Sequence, residues 1–392
     1  MFVKRQMERE LRDAAAEYPV VTILGPRQSG KSTLARLVFP DKPLRRLEDP
    51  DTRLLAADDP RGFLADIPDG AVLDEIQRVP ELLSYLQGTV DDDDRPGRFV
   101  LTGSHQPELQ QAVSQTLAGR TAVLTLLPFS YAEMRHYREN WDPFELAVLG
   151  SYPRLHQHTL KRDRFFSGYL QTYVERDVRA LINLHDLDRF QVFLRLLAGR
   201  VGQVLNYTSL SNDIGVSSTT VKSWIAVLKA SFVVFELPPY FENIRKRVIK
   251  SPKLFFYDVG LASYLLGIES ADQFKRDPLR GNLYENLVVL EVLKTCLNQG
   301  MPGDLFFYRD THGNEVDLIL RRGRTLYPVE VKSASTFTPG HLKGIAQFRS
   351  AVGDSCGPPR VCYNGDREFR YRDAWIHNPF LSGGFDNLAL VE

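Results

Sequence analysis

The chain has 392 residues, 43% of them hydrophobic and 25% charged, which fits a folded globular protein and excludes a mainly disordered, collagenous or coiled-coil chain. At about 100–200 residues per domain, this length calls for two to four domains. Lys and Arg total 49 and Asp and Glu total 49, so any basic surface for nucleic acid must be local, and three cysteines without a CxxC pair point to a reducing cytoplasm rather than disulfides or structural zinc.

Residues 1–19 mix charges before any apolar run and predict a short helix rather than an export signal. No apolar stretch approaches the ~20 residues a membrane span needs, so no membrane partner is expected. From Tyr18 to about Pro128, short β-rich runs (Val20–Leu24, Ala71–Leu73, Phe99–Leu101, Ala122–Leu126) alternate with helical segments. That alternation predicts a parallel sheet covered by helices, within an α/β multidomain fold.

The first run leads into Gly25-Pro26-Arg27-Gln28-Ser29-Gly30-Lys31-Ser32, which satisfies GxxxxGK[ST] between a strand and a helical run opening at Thr33. Backbone N–H groups of such a loop curl around phosphates, the helix N-terminus adds a positive dipole, and Lys31 reaches the β and γ oxygens. Gly25, Arg27, Gln28, Ser29, Gly30, Lys31, Ser32 and Thr33 are therefore the expected nucleotide contacts, with Ser32 holding Mg2+. The second run ends in Asp74-Glu75. Asp74 is expected to coordinate Mg2+ and Glu75 to polarise the attacking water. The third ends in Thr102-Gly103-Ser104, where Thr102 or Ser104 orients the water or senses the γ-phosphate, or simply forms a turn.

These motifs resemble the prokaryotic AAA-type ATPases in which GPRQSGKST, VLDEIQ, LTGS and LAGRT precede a C-terminal domain of formerly unknown function. Pro128-Phe129-Ser130 and Tyr173-Val174-Glu175-Arg176-Asp177 also match, so the resemblance covers nearly the whole chain. It implies an AAA-type ATPase core over residues 1–128 that uses ATP and Mg2+, often assembling as a homo-oligomer, and the helical apolar spacing beyond it, as in Tyr169, Tyr173, Val174, Val178 and Leu181, predicts a small helical lid over 129–199. An arginine would complete the site, and Arg120 and Arg176 are the candidates for finger or sensor, with a structural ion pair as the alternative for either.

Residues 200–270 carry a helix-turn-helix pattern from Leu205 to Trp224. Gly215 permits the turn, Ser217 caps the second helix, and Val221, Trp224, Ile225 and Leu228 recur at core spacing. Ser218, Thr219, Lys222 and Ser223 would face outward. Strands at Val233–Leu237, Arg247–Ile249 and Lys253–Tyr257 complete a winged-helix arrangement. Its Glu242–Lys253 segment gathers Arg245, Lys246, Arg247, Lys250 and Lys253 against one acid, the clearest candidate surface for DNA, with protein contact as the alternative.

Residues 271–392 open with a linker-like stretch, Lys275–Gly281, and then a helix, Leu283–Lys294. Two strands around the turn Gly323-Arg324 register Asp317 opposite Glu330 and bring Lys332 to the same face, while Val329 and Val331 point to the core. Facing carboxylates beside a lysine suit a divalent cation and an activated water. Glu285, Asp317, Glu330 and Lys332 resemble the core of the PD-(D/E)xK nucleases, including the Holliday-junction-resolving members. The resemblance implies a restriction-endonuclease-like domain with metal at Glu285, Asp317 and Glu330 that cleaves DNA, or one that has kept only binding.

Overall fold

The computed structural model describes residues 3–104, 113, 115–158, 160–174, 187–240, 250–381 and 385–389. After a helix α1 (Glu8–Glu17), the N-terminal part is a five-stranded sheet of β1 (Val20–Gly25), β2 (Leu44–Arg46), β3 (Val72–Asp74), β4 (Phe99–Ser104) and β5 (Thr121–Thr125). The order is β2-β3-β4-β1-β5 and every pairing is parallel. Apolar residues line both faces of β1, since Val20, Val21, Ile23 and Leu24 are all buried, as a sheet sandwiched by helices demands. The four expected strands are present; β2, whose Leu-Arg-Arg sequence carries no apolar run, is an addition at the sheet edge.

Beyond Pro128 come short helices, including Pro143–Leu149, Pro153–Gln157 and Arg162–Tyr169, and then Leu187–Ala198. The helix-turn-helix follows as Tyr207–Ile214 and Ser218–Ala230. Gly215 takes the left-handed conformation (φ +74°) that the turn requires, and the Ser217 hydroxyl accepts a hydrogen bond from Thr220 N at 3.0 Å. A two-stranded antiparallel sheet, β6 (Val234–Leu237) and β7 (Lys253–Phe256), adjoins it. The expected strand at Arg247–Ile249, with Glu242, Arg245, Lys246 and Arg247, lies outside the described residues, as does Arg176.

The C-terminal part pairs a long helix, Arg280–Asn298, with a six-stranded sheet ordered β12-β13-β11-β10-β9-β8. Its strands are β8 (Leu305–Arg309), β9 (Glu315–Arg322), β10 (Thr325–Lys332), β11 (Arg360–Tyr363), β12 (Phe369–Tyr371) and β13 (Ala374–His377). β9 and β10 are antiparallel and β10 and β11 parallel. The stretch expected to be a linker is shorter than read: Lys275 and Arg276 end the helix Ala271–Arg276, Asp277–Leu279 form a turn, and Arg280 and Gly281 open the long helix, while Phe274 just before it is fully buried with its ring 5.4 Å from that of Phe144. A single apolar cluster runs from Val3 through Phe144, Phe166 and Trp224 to Leu287 and Leu388. The helices after Pro128, the middle helices and the long C-terminal helix thus share one core.

Candidate functional sites

Because every N-terminal strand is parallel, the loops after β1, β3 and β4 converge at one edge, the carboxyl ends of the strands. The phosphate loop turns from β1 into helix α2 (Lys31–Val38) at that edge. Gly25 is required there by space, since a Cβ would lie 2.2 Å from the Leu126 carbonyl oxygen. Lys31 is buried and its ammonium donates to the carbonyls of Gly25 (3.1 Å) and Pro26 (2.8 Å). Burial pushes its pKa down to about 8, against the upward pull of Glu75 and Asp74. Ser32 Oγ donates to Asp74 Oδ1 at 2.5 Å, and Thr102 Oγ1 donates to the same oxygen.

Glu75 sits in left-handed backbone (φ 60°, ψ 49°), a conformation costing a non-glycine residue of order 1–3 kcal/mol that clusters at functional sites. Its backbone N–H meets Thr102 Oγ1 at 3.4 Å, and its carboxylate accepts from Gln77 Nε2 and from Ser104 Oγ at 3.3 Å. Gln77 also donates to Ser104 Oγ at 2.9 Å, closing a small network that fixes the acid. A nucleotide with Mg2+ suits these residues: Lys31 has loop carbonyls to exchange for phosphate oxygens, and the buried Ser29 hydroxyl has no hydrogen-bond partner among the described residues. Gly30, Arg27, Gln28 and Thr33 lie in or beside the same turn.

Arg120 is not part of this cluster. It precedes β5 at the opposite edge of the sheet, where its carbonyl accepts from Val20 N and its guanidinium pairs with Asp91. Parallel pairing of β1 with β5 puts it a full strand length from the phosphate loop of its own chain.

Arg5, which the motifs do not flag, ties the loop to the rest of the molecule. Its guanidinium donates to Ser29 O (2.7 Å), Leu127 O (2.7 Å) and Glu133 Oε1 (2.9 Å), all buried. Gln6 N donates to the same Glu133 oxygen at 2.7 Å, and Asn298 Nδ2 reaches Gln6 Oε1 at 3.3 Å. Further along the long helix, Lys294 donates to Phe129 O (2.8 Å) and Ser151 Oγ (3.1 Å), while Glu291 accepts from Tyr131 N at 2.6 Å.

The second cluster lies in the C-terminal sheet. The β9–β10 ladder pairs Arg322 with Thr325 through Leu318 with Val329, the register that sets Asp317 against Glu330. Asp317 Oδ2 accepts from Val331 N at 2.8 Å, and Lys332 Nζ lies 2.6 Å from Glu330 and 3.4 Å from Asp317. Glu285, one turn into the long helix, reaches the same place. Burial pushes the carboxyls of Glu285 and Glu330 up to about 8, with Asp317 adding repulsion to each.

Two further groups belong to this cluster and were not expected. Glu315 joins Glu285 and Asp317 with carboxylate oxygens within 4.8 Å of one another. Two residues before Asp317 on one strand, it shares a face by simple alternation. Lys253, expected on the basic surface, is instead 1% exposed. Its ammonium lies 2.7 Å from Glu285, in contact with Glu315, and 3.9 Å from Asp317. Burial alone would lower its pKa, but Glu285, Asp317 and Glu315 more than offset that and hold it charged. Divalent Mg2+ binds oxygen at about 2.0–2.1 Å. An ammonium seated among Glu285, Glu315 and Asp317 competes with such an ion for the same carboxylate oxygens.

A family model described as an AAA domain matches residues 17–135. Two models described as domains of unknown function, DUF8612 and DUF4143, match residues 140–272 and 280–381. The chain is 31% identical over 398 residues to the uncharacterized protein Rv2008c of Mycobacterium tuberculosis and equally to Mb2031c of Mycobacterium bovis, covering 99% of this chain and 87% of each relative. An uncharacterized protein of Haemophilus influenzae is 22% identical over 284 residues, covering 66% of this chain and 64% of that protein. Among solved structures, the Walker-type ATPase PABY2304 of Pyrococcus abyssi is similar with a TM-score of 0.46 and 17% identity, over 68% of this chain and 96% of that one. No helix among the described residues is long and apolar enough to cross a membrane. The chain belongs to the family of these two mycobacterial proteins, and its N-terminal part is an AAA-type P-loop ATPase domain.

Proposed function

We propose that the protein is a cytoplasmic ATPase that hydrolyses ATP with Mg2+ and couples turnover to engagement of branched or structured DNA, self-associating through its AAA domain. The observation that carries this reading is the meeting of Lys31, Ser32, Asp74, Glu75 and Thr102 at the carboxyl ends of β1, β3 and β4. Mg2+ held by Ser32 and Asp74 would neutralise charge on the phosphates. Lys31 exchanges the carbonyls of Gly25 and Pro26 for phosphate oxygens, and the N–H groups of the loop and of the first turn of α2 point at the same anion. Glu75, fixed by Gln77 and Ser104, accepts the proton of the attacking water. Lys31→Ala should abolish ATP binding and turnover; full activity in that variant would remove the assignment.

For DNA, the support is the helix-turn-helix followed by the antiparallel strand pair β6 and β7, as a winged helix would have. Its second helix leaves Thr219 and Lys222 exposed, with Ser218 and Ser223 half-buried beside them. Lys222→Glu should weaken DNA binding and lower the slope of log K against log salt by about 1, as loss of one phosphate contact does. The C-terminal unit, with Glu285, Asp317, Glu330 and Lys332 on one side of a mixed sheet, is read as a nuclease-like domain that binds this DNA. A second reading, a switch ATPase whose middle and C-terminal units signal to a protein partner without cleavage, is favoured by the position of Lys253. ATP turnover measured with and without duplex, forked and four-way DNA decides between them. Stimulation by DNA supports the first, and a rate indifferent to every DNA supports the second.

A further inference from the structure

Lys253 is the first residue of a strand whose four positions are all buried. It is fixed there from several directions. Leu205 N donates to Pro252 O (2.8 Å) and Gly202 N to Leu254 O (2.7 Å). Asn286, next to Glu285 on the long helix, clamps Phe256 by donating to its carbonyl (2.9 Å) and accepting from its N–H (2.8 Å). The ammonium carries three N–H donors and no acceptor, and it faces three carboxylates, Glu285, Glu315 and Asp317, with the Phe307 ring 5.4 Å away. Other cations share the cluster: Lys332 pairs with Glu330 and Asp317, and Arg309 lies 3.4 Å from Glu315.

We propose that Lys253 is the resident cation of the C-terminal carboxylate cluster: a lysine delivered by the middle unit occupies the position a divalent metal would take, and holds the cluster closed to metal while β7 is docked. The argument is one of space and charge. The lysine supplies positive charge to the buried Glu285 and Asp317 and to the half-buried Glu315. A divalent ion could enter only by displacing an ammonium whose backbone is pinned by Gly202, Leu205 and Asn286. The contact therefore bars metal from the cluster, and the same three salt bridges fasten the middle unit to the C-terminal sheet. The inference rests on the nuclease-like reading only for the choice of ligand.

The test is Mn2+ binding by the full chain without nucleotide, followed by electron paramagnetic resonance, in the native protein and in Asp317→Asn, Lys253→Met and the double variant. The native protein and Asp317→Asn should bind Mn2+ alike, because the cluster contributes no site. Lys253→Met should gain one Mn2+ site that the native protein lacks, and the double variant should lose it. An Asp317-dependent Mn2+ site in the native protein, or no gain in a folded Lys253→Met protein, would overturn the proposal. Should Lys253→Met not fold, the comparison of native protein with Asp317→Asn decides alone. Incubation of Mn2+-loaded Lys253→Met with forked and four-way DNA separates the two claims: metal without cleavage leaves the resident lysine intact and ends the nuclease reading.

Discussion

At the scale of single residues, the ATP site turns on the charge state of Lys31. Burial sets its pKa near 8 when its partners are loop carbonyls, and phosphate oxygens would restore it. The affinity for ATP should thus be flat between pH 7 and 8 and weaken by up to tenfold per pH unit above 8, where binding must take up a proton. Folding stability moves the other way: a lysine with a depressed pKa binds fewer protons folded than unfolded between about 8 and 10.5, so its penalty is relieved as pH rises through that window. Titration calorimetry in buffers of different ionisation enthalpy reads the proton uptake directly, and an ATP affinity unchanged to pH 9.5 would contradict it. Glu75→Gln should keep ATP binding and lower kcat by roughly 10²–10⁴, the usual worth of a general base. In the C-terminal cluster, Glu315 was legible from period-2 alternation with Asp317. Lys253 was not: in sequence it closes a basic run, and only the three-dimensional meeting of β7 with β9 and the long helix makes it a buried counter-ion.

At the scale of elements, the sequence signals that survive are those tied to backbone chemistry. The phosphate loop, the Gly215 turn, the Ser217 cap and the Gly323 hairpin each state a local conformation, and each stands where its residues put it. The failures are stretches whose structure comes from tertiary contact. Lys275–Gly281 reads as a linker because it is polar, yet it contains the end of one helix and the start of another, and burial of Phe274 in the preceding turn fixes the first. β2 is a strand because β3 offers it a ladder, not because Leu44-Arg45-Arg46 favours one. Ser217→Ala removes a capping bond from the second helix of the helix-turn-helix while leaving its buried face of Val221, Trp224 and Leu228 untouched. It should cost about 1 kcal/mol. Chemical denaturation of the full chain measures that loss, and none at all would mean the tertiary packing alone holds the helix start.

At the scale of the whole molecule, Arg5 is where the ATP site meets everything downstream. It holds the phosphate-loop carbonyl of Ser29 with one nitrogen and the buried Glu133 with another, and Glu133 leads through Gln6 to Asn298 at the end of the helix that bears Glu285. One element therefore spans from the loop's anchor to the carboxylate cluster, and the apolar core around it is continuous from Val3 to Leu388. Arg5→Met keeps the volume of the side-chain stem and removes the charge. It leaves Glu133 buried without its guanidinium, a loss typically of about 3–5 kcal/mol, so the melting temperature should fall. A merely structural role would stop there. A positioning role also slackens the loop that receives the phosphates, so the KM for ATP should rise by roughly tenfold, about 1.4 kcal/mol of lost binding. Adding Glu133→Gln removes the stranded charge and should recover part of the melting temperature without recovering KM, because the hydrogen bond to Ser29 O is still gone. Steady-state kinetics beside thermal denaturation of both variants separates these effects. A KM that returns together with stability would show that Arg5 acts on the fold and not on the loop.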